Sequence, residues 1–274
     1  MSLVIGIDVG GSTTKIVGLR DGEVQSPMFI TAADPITSLF GAFGKFLYDN
    51  SIELGDIEHV MVTGVGSSAV TTPIYGLPTT KVDEFQADGL GARFDSGLDR
   101  LIVVSMGTGT TLVRVDENGI RHIGGASIGG GTLQGLAHLL LGTSNVDEVI
   151  QMASQGNTAN VNLTIGDISK THLEGLPLHA TASLFGKVKN ANVTQADIAK
   201  GLIYMVVETI GSCAVLSQSL PGGISDFVMI GNMTCVPECR EAFPIIEDLY
   251  GVRFHIPVHA QYCTALGAAL AYKG

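Results

Sequence analysis

The chain opens on Ile5 to Gly18, "IGIDVGGSTTKIVG". A run of apolar residues ends in one aspartate, Asp8, and is followed by Gly10-Gly11, three hydroxyl side chains and Lys15. A carboxylate at the tip of a buried strand is costly without a partner. A divalent cation supplies one, because Mg²⁺ takes one or two carboxylates and leaves its other positions to water and phosphate oxygens. Gly10 and Gly11 let the backbone approach an anion so that successive N–H groups cradle it. Ser12, Thr13 and Thr14 are donors for phosphate oxygens, and Lys15 is a point charge if strand alternation turns it inward. The stretch reads as half of a metal–phosphate site, against the plainer alternative of a tight hairpin with an Asp turn.

Outward from this stretch, residues 3–30 read as a three-stranded meander and 35–50 as a helix. A short strand ends at Gly64, and a further helix begins near Glu84. Near residue 100 the pattern restarts. "RLIVVSMGTGTTLVRV" (100–115) is again strand, glycine turn, strand, and "GIRHIGGASI" (119–128) is a third strand. The second turn, Gly107-Thr108-Gly109, repeats the first. A third cluster, Gly129-Gly130-Gly131-Thr132, opens a helix and presents its N-terminal amides to an anion. A long apolar helix is expected over about 194–219, capped by Thr194. Strands at 226–232 and 252–258 and a small-residue helix after 264 complete the chain. The repetition predicts an α/β fold of two similar halves, residues 1–98 and 99–274, with the ligand in the cleft between them. The corner Ile230-Gly231-Asn232 and the run Gly267-Ala268-Ala269 are expected to approach a flat group such as adenine.

The 274 residues carry 26 acidic and 15 basic side chains, a formal charge of −11, which argues against nucleic acid as partner. Hydrophobic residues make up 45% and charged residues only 15%, so the core is large and solvated helical faces are few. Four cysteines, Cys213, Cys235, Cys239 and Cys263, make no disulfide framework and point to a reducing, cytoplasmic setting. No leader is expected, since a strand begins at once. Gly201 to Leu220 carries Glu208 among small and polar residues, which favours a buried helix, in the core or at a dimer contact, over a membrane span. There is no G-x-x-x-x-G-K-[ST], no G-x-G-x-x-G after the first strand and no G-x-S-x-G elbow.

Together these residues resemble the actin/hexokinase/Hsp70-type ATPases, two ribonuclease-H-like halves with ATP between them. Within that group the chain resembles the type II (eukaryotic-like) pantothenate kinases. The discriminating segments are "EFQADGLG" (Glu84 to Gly91) and "GGGTLQGL" (Gly129 to Leu136), with "MASQGN", "LFG" and "YCTALGAALA" further along. The resemblance implies an ATP- and Mg²⁺-dependent, dimeric kinase that phosphorylates pantothenate, the first step of coenzyme A synthesis. It implies Asp8 at the metal and Glu84 as catalytic carboxylate. Gly10, Gly11, Ser12, Thr13, Lys15, Gly107, Thr108, Gly109, Gly129, Gly130, Gly131 and Thr132 fall around the phosphates, and Phe185 and Gly231 toward the nucleoside. Thr108 and Thr111 fall near pantothenate. The family's arginine two residues before Gly124-Gly125 is replaced here by His122. His122 and Arg121 beside it are the candidates for pantothenate there; neighbours on a strand face opposite sides, so Arg121 substitutes only with a bulge or a register slip. Asp88, one turn after Glu84, reads as a solvated helix face. The alternatives are a sugar-type kinase of the same fold, or an ATPase that activates a partner enzyme and holds an iron–sulfur cluster on cysteines.

Overall fold

The computed structural model describes residues 3–11, 13–31, 34–169, 171, 175–190, 192–220 and 222–274. Ser12 therefore lies outside the described residues. Two five-stranded sheets are built on one plan. In the first, β1 (Leu3–Val9), β2 (Thr13–Arg20) and β3 (Glu23–Thr31) form the antiparallel meander, and β4 (Ile57–Thr63) and β5 (Thr79–Lys81) add in parallel, giving the order β3-β2-β1-β4-β5. In the second, β6 (Leu101–Met106), β7 (Thr110–Asp116) and β8 (Gly119–Ala126) repeat the meander. There β11 (Asp226–Ile230) and β12 (Arg253–His255) take the parallel places, in the order β12-β11-β6-β7-β8. A two-stranded ribbon, β9 (Leu163–Thr164) and β10 (Thr181–Ser183), lies in the insertion between β8 and β11.

The helices sort by the face they cover. Helix α1 (Pro35–Asn50) starts at Asp34, whose side chain accepts from the Thr37 N–H, and buries Leu39, Phe43 and Phe46 against Ile5, Ile7 and Ile16 on the outer face of the first sheet. Helices α3 (Gly130–Leu141), α4 (Val146–Ala153), α6 (Gln195–Leu216) and α7 (Pro237–Tyr250) cover the outer face of the second, over Ile102, Val104, Leu112 and Phe227. The short α5 (Ile165–Ile168) follows β9. Thr194 caps α6 in a reciprocal box with Asp197. By length and composition the stretch Gln195–Ser219 could cross a membrane. Its face of Leu202, Val206, Val207 and Ile210 is instead buried against α3, α4 and α7, which makes it a core helix.

The inner faces of both sheets close on one pair of helices, α2 (Glu84–Ser96) and α8 (Cys263–Leu270). Val4, Met61 and Ala87 meet Ala268 and Ala269 on one side, and Leu101, Val103, Val113, Val115 and Val228 meet Ala92 and Cys263 on the other. The two helices touch backbone to backbone. A Cβ added to Gly267 would stand 1.7 Å from the Ala87 carbonyl oxygen, and one added to Gly91 would stand 1.9 Å from that of Cys263. Gly267 is therefore spent on helix packing, not on the nucleoside surface expected from the sequence. Cys235 and Cys239 also part company: Cys235 lies in the turn before α7 and is exposed, while Cys239 is inside α7 and buried.

Candidate active site

The polar residues gather where the inner apolar rows run out. On the first sheet Asp8 and Lys15 are opposite each other in the β1–β2 register, so they share a face, and their side chains stand 3.5 Å apart, both buried. Strand alternation thus turns Lys15 inward. Thr63 is the parallel neighbour of Asp8 on β4, and its buried hydroxyl has no partner. On the second sheet the row Leu101, Val103 ends in Ser105, opposite Thr111 across the β6–β7 pair, and Val113 is opposite His122. Helix α2 faces these two polar edges with its first turn. Asp83 caps it by accepting from the Gln86 N–H, and Gln86 donates to the Ile120 carbonyl at 3.0 Å. Phe85 stacks on His122 with ring centroids 4.4 Å apart.

Three carboxyls meet here. Burial raises that of Asp8 above its ordinary value, with Lys15 acting in the opposite direction. Glu84, half-buried at the start of α2, is raised by burial and then by the Asp8 charge, against Lys15. Asp88 is 1% exposed and accepts from the Thr264 hydroxyl at 2.6 Å. Burial and the charges of Glu84 and Asp8 lift it to about 7, while Thr264 and Ser105 oppose the rise. The expectation that Asp88 lies on a solvated face is corrected: that face is covered by α8.

The glycine turns converge beside the carboxyls. Gly10 N–H donates to the Thr13 carbonyl at 2.9 Å, closing the first turn. Gly107 N–H donates to the Gly109 carbonyl, Gly130 N–H to that of Gly107 and Gly131 N–H to that of Thr108, each at 2.9 Å, so the third cluster is built onto the second turn. The Gly129 N–H is taken by the Thr132 hydroxyl at 3.3 Å. A Cβ on Gly11 would come within 3.9 Å of the Thr108 hydroxyl, which puts the first and second turns face to face. Asn232 joins the two halves by donating to the Thr13 hydroxyl at 3.4 Å. Gly231, at φ +96° and packed on the Met106 backbone, allows the chain to turn that corner. Gly107, Thr108 and Gly109 are exposed, so the mouth between the turns is open.

Two expected residues stand apart from this cluster. Arg121 points to the other face of β8 and pairs with Asp116 at 3.1 Å, beside Arg114. Phe185, at φ +58°, donates its N–H to the Asn162 side-chain oxygen and packs its ring against Gly201 of α6. Sequence reasoning missed Ser105, Thr264 and the buried state of Asp88. The two hydroxyls sit inside ordinary strand and helix patterns and acquire meaning only from what packs on them.

The residues fit a hard cation. Asp8 is a desolvated carboxylate at the mouth of a phosphate-type turn, with an orphaned hydroxyl on the neighbouring strand. Among the described residues no three of His, Cys, Asp or Glu form a self-sufficient cage. That composition suits an ion that completes its shell with phosphate oxygens and water.

A duplicated meander-plus-parallel sheet with facing glycine turns and a carboxylate on the first strand defines the actin-like ATPase class. The solved structures agree on the fold. Component A of (R)-2-hydroxyglutaryl-CoA dehydratase from Acidaminococcus fermentans superposes with a TM-score of 0.71 at 19% identity, over 98% of this chain and 97% of that one. A glucokinase of the ROK family from Streptomyces griseus, in complex with glucose and AMPPNP, gives 0.55 at 16%, over 98% of both chains. Within the class, residues 99–241, more than half of the chain, match the family Fumble, and the chain belongs to it. Pantothenate kinase 1 of Oryza sativa is 35% identical over 150 residues, 52% of this chain but only 22% of the rice protein. A type II pantothenate kinase of Bacillus cereus is 26% identical over 250 residues, 86% of this chain and 85% of that protein.

Proposed function

We propose that this chain transfers the γ-phosphoryl group of ATP to the primary hydroxyl of pantothenate, forming 4'-phosphopantothenate. The observation that carries the reading is the placement of Glu84. It is a half-buried carboxylate of raised pKa, on the first turn of a helix clamped between the sheets, within the field of Asp8 and Lys15 beside the first phosphate-type turn, in a chain of the Fumble family.

Phosphoryl transfer demands positioning and charge neutralisation more than covalent help. Asp8 would hold Mg²⁺ directly or through water, and the ion, when bound, would neutralise charge on the phosphate oxygens. The turn bonds already engage the N–H groups of Gly10, Gly107 and Gly129–Gly131, so those of Gly11, Thr108 and Gly109 approach the phosphate oxygens, with Thr13, Thr108 and Thr132 as added hydroxyl donors. Lys15 offsets the Asp8–Glu84 repulsion and so keeps Glu84 able to ionise. Glu84 accepts the hydroxyl proton at its carboxylate as the oxygen attacks phosphorus. Thr111 and His122 line the acceptor side; His122, held flat on Phe85, offers a ring N–H to the acceptor's carboxylate or amide. Gly231 serves the nucleoside side. The halves divide at 98/99, and the exposed Leu139, Leu140 and Leu216 on α3 and α6 suit a homodimer of a cytoplasmic enzyme.

An iron-dependent activator, the other reading the fold raises, gains nothing from the cysteines. The Cys239 thiol is buried, donates to the Met233 carbonyl and is pushed up to about 12, so it is not a ready thiolate. The test is turnover with ATP and Mg²⁺, with and without pantothenate, beside Glu84→Gln. ADP and phosphopantothenate in equal amounts, lost in the variant, support the reading. ATP binding without pantothenate-dependent turnover refutes the substrate.

A further inference from the structure

Asp88 is a buried acid that the phosphoryl transfer described above leaves unused. It lies four residues after Glu84 on α2, so both side chains project from one helix face. Its Oδ1 takes the Thr264 hydroxyl at 2.6 Å, and Thr264, itself 6% exposed, sits in the first turn of α8. Ser105, near the end of β6 just before the second glycine turn, acts on the same carboxyl and lowers it. The Asp88 side chain thereby ties the helix that carries Glu84 to the helix that packs on the Asp8 strand. No apolar residue can hold the Thr264 hydroxyl, and a buried hydroxyl without a partner is penalised.

We propose that Asp88 is a positioning residue that fixes the first turn of α2, and with it Glu84, against α8 through Thr264. The inference rests on the kinase reading and adds to it a residue that touches neither ATP nor acceptor. The tie needs an acceptor facing Thr264. An asparagine supplies one, and an alanine does not.

Five enzymes decide it: wild type, Asp88→Asn, Asp88→Ala, Thr264→Val and the double variant Asp88→Ala/Thr264→Val, each assayed for kcat, for KM of ATP and of pantothenate, and for thermal midpoint. Hydrogen exchange is followed on the amides of 84–90. Asp88→Asn is expected to keep kcat within about threefold of wild type. Asp88→Ala and Thr264→Val are expected to lose on the order of 10- to 100-fold in kcat, as a misplaced catalytic group does, with KM for ATP within about threefold. Amides 84–90 should exchange faster in both variants and not in Asp88→Asn. The double variant Asp88→Ala/Thr264→Val should be no worse than the poorer single one. An Asp88→Ala enzyme with unchanged kcat per folded molecule overturns the proposal, and so does an Asp88→Asn enzyme as poor as Asp88→Ala, which would show that charge and not geometry is required. If Asp88→Ala does not fold, Asp88→Asn and Thr264→Val carry the comparison. A wild type without turnover refutes the kinase reading, while the exchange rates still decide whether the tie exists.

Discussion

Replacing Gly91 by alanine tests the central contact of the molecule. The added Cβ would lie 1.9 Å from the Cys263 carbonyl oxygen and 3.0 Å from the Gly267 nitrogen, both backbone atoms of or beside α8. Restoring an ordinary contact requires the helices to part by more than about 1 Å. Helix α8 has nowhere to retreat, because on its far side Gly6 of β1 is packed so closely that its own missing Cβ would stand 2.0 Å from the Ala265 carbonyl oxygen. Overpacking of this kind costs about 3 kcal/mol, toward the upper end of the usual range because no flexible side chain can yield. The gain in helix propensity returns about 1 kcal/mol. The net loss of about 2 kcal/mol corresponds to a fall of about 4–8 °C in Tm. Urea denaturation and a thermal melt read it directly. Gly135→Ala is the control: it is exposed in α3 with nothing within 4 Å of the added carbon, and should stabilise by about 0.5–1 kcal/mol. Turnover should fall more than stability in Gly91→Ala, because α2 carries Glu84. If Gly91→Ala melts at or above the wild-type temperature, α2 and α8 are not in backbone contact and the reasoning fails.

Glu84→Gln should lower kcat by about 10²- to 10⁴-fold with little change in KM for ATP, measured by ADP release. Because its carboxyl is raised above 4.5, the acid limb of kcat/KM for the wild type should lie above that pH, turnover falling as acid protonates it. The Asp197 carboxyl is held at about 2 by the N–H groups of Asn157 and Thr194. Its folded value lies below the unfolded one, so its contribution is complete above about pH 4 and is lost as pH falls toward 2. Asp197→Ala should cost about 2 kcal/mol at neutral pH and flatten that acid limb in urea titrations. His122→Ala should raise KM for pantothenate about tenfold and leave KM for ATP alone, a split visible in initial rates.

Much of the architecture is legible in linear order, because its signals are local. The two meanders declare themselves by apolar strands broken at Gly10-Gly11 and Gly107–Gly109, and α6 by its cap at Thr194. Asp8 and the three glycine clusters are legible for the same reason: a carboxylate ending an apolar run, or several adjacent glycines, has a meaning that depends on nearest neighbours. Even the opposed facings of Arg121 and His122 follow from strand alternation alone. Tertiary structure decided the rest. The stretch "EFQADGLGARF" has no strong apolar periodicity, since its packing surface is made of Gly89, Gly91, Ala87 and Ala92, and small residues bury little area while permitting close approach. A carboxylate on such a helix reads as solvated until a second helix is known to cover it. That second helix comes from the far end of the chain, with Thr264 176 residues away from Asp88. Which face of α2 meets water is a property of the sandwich of two sheets around two helices, and contacts of that range leave no periodic trace in sequence.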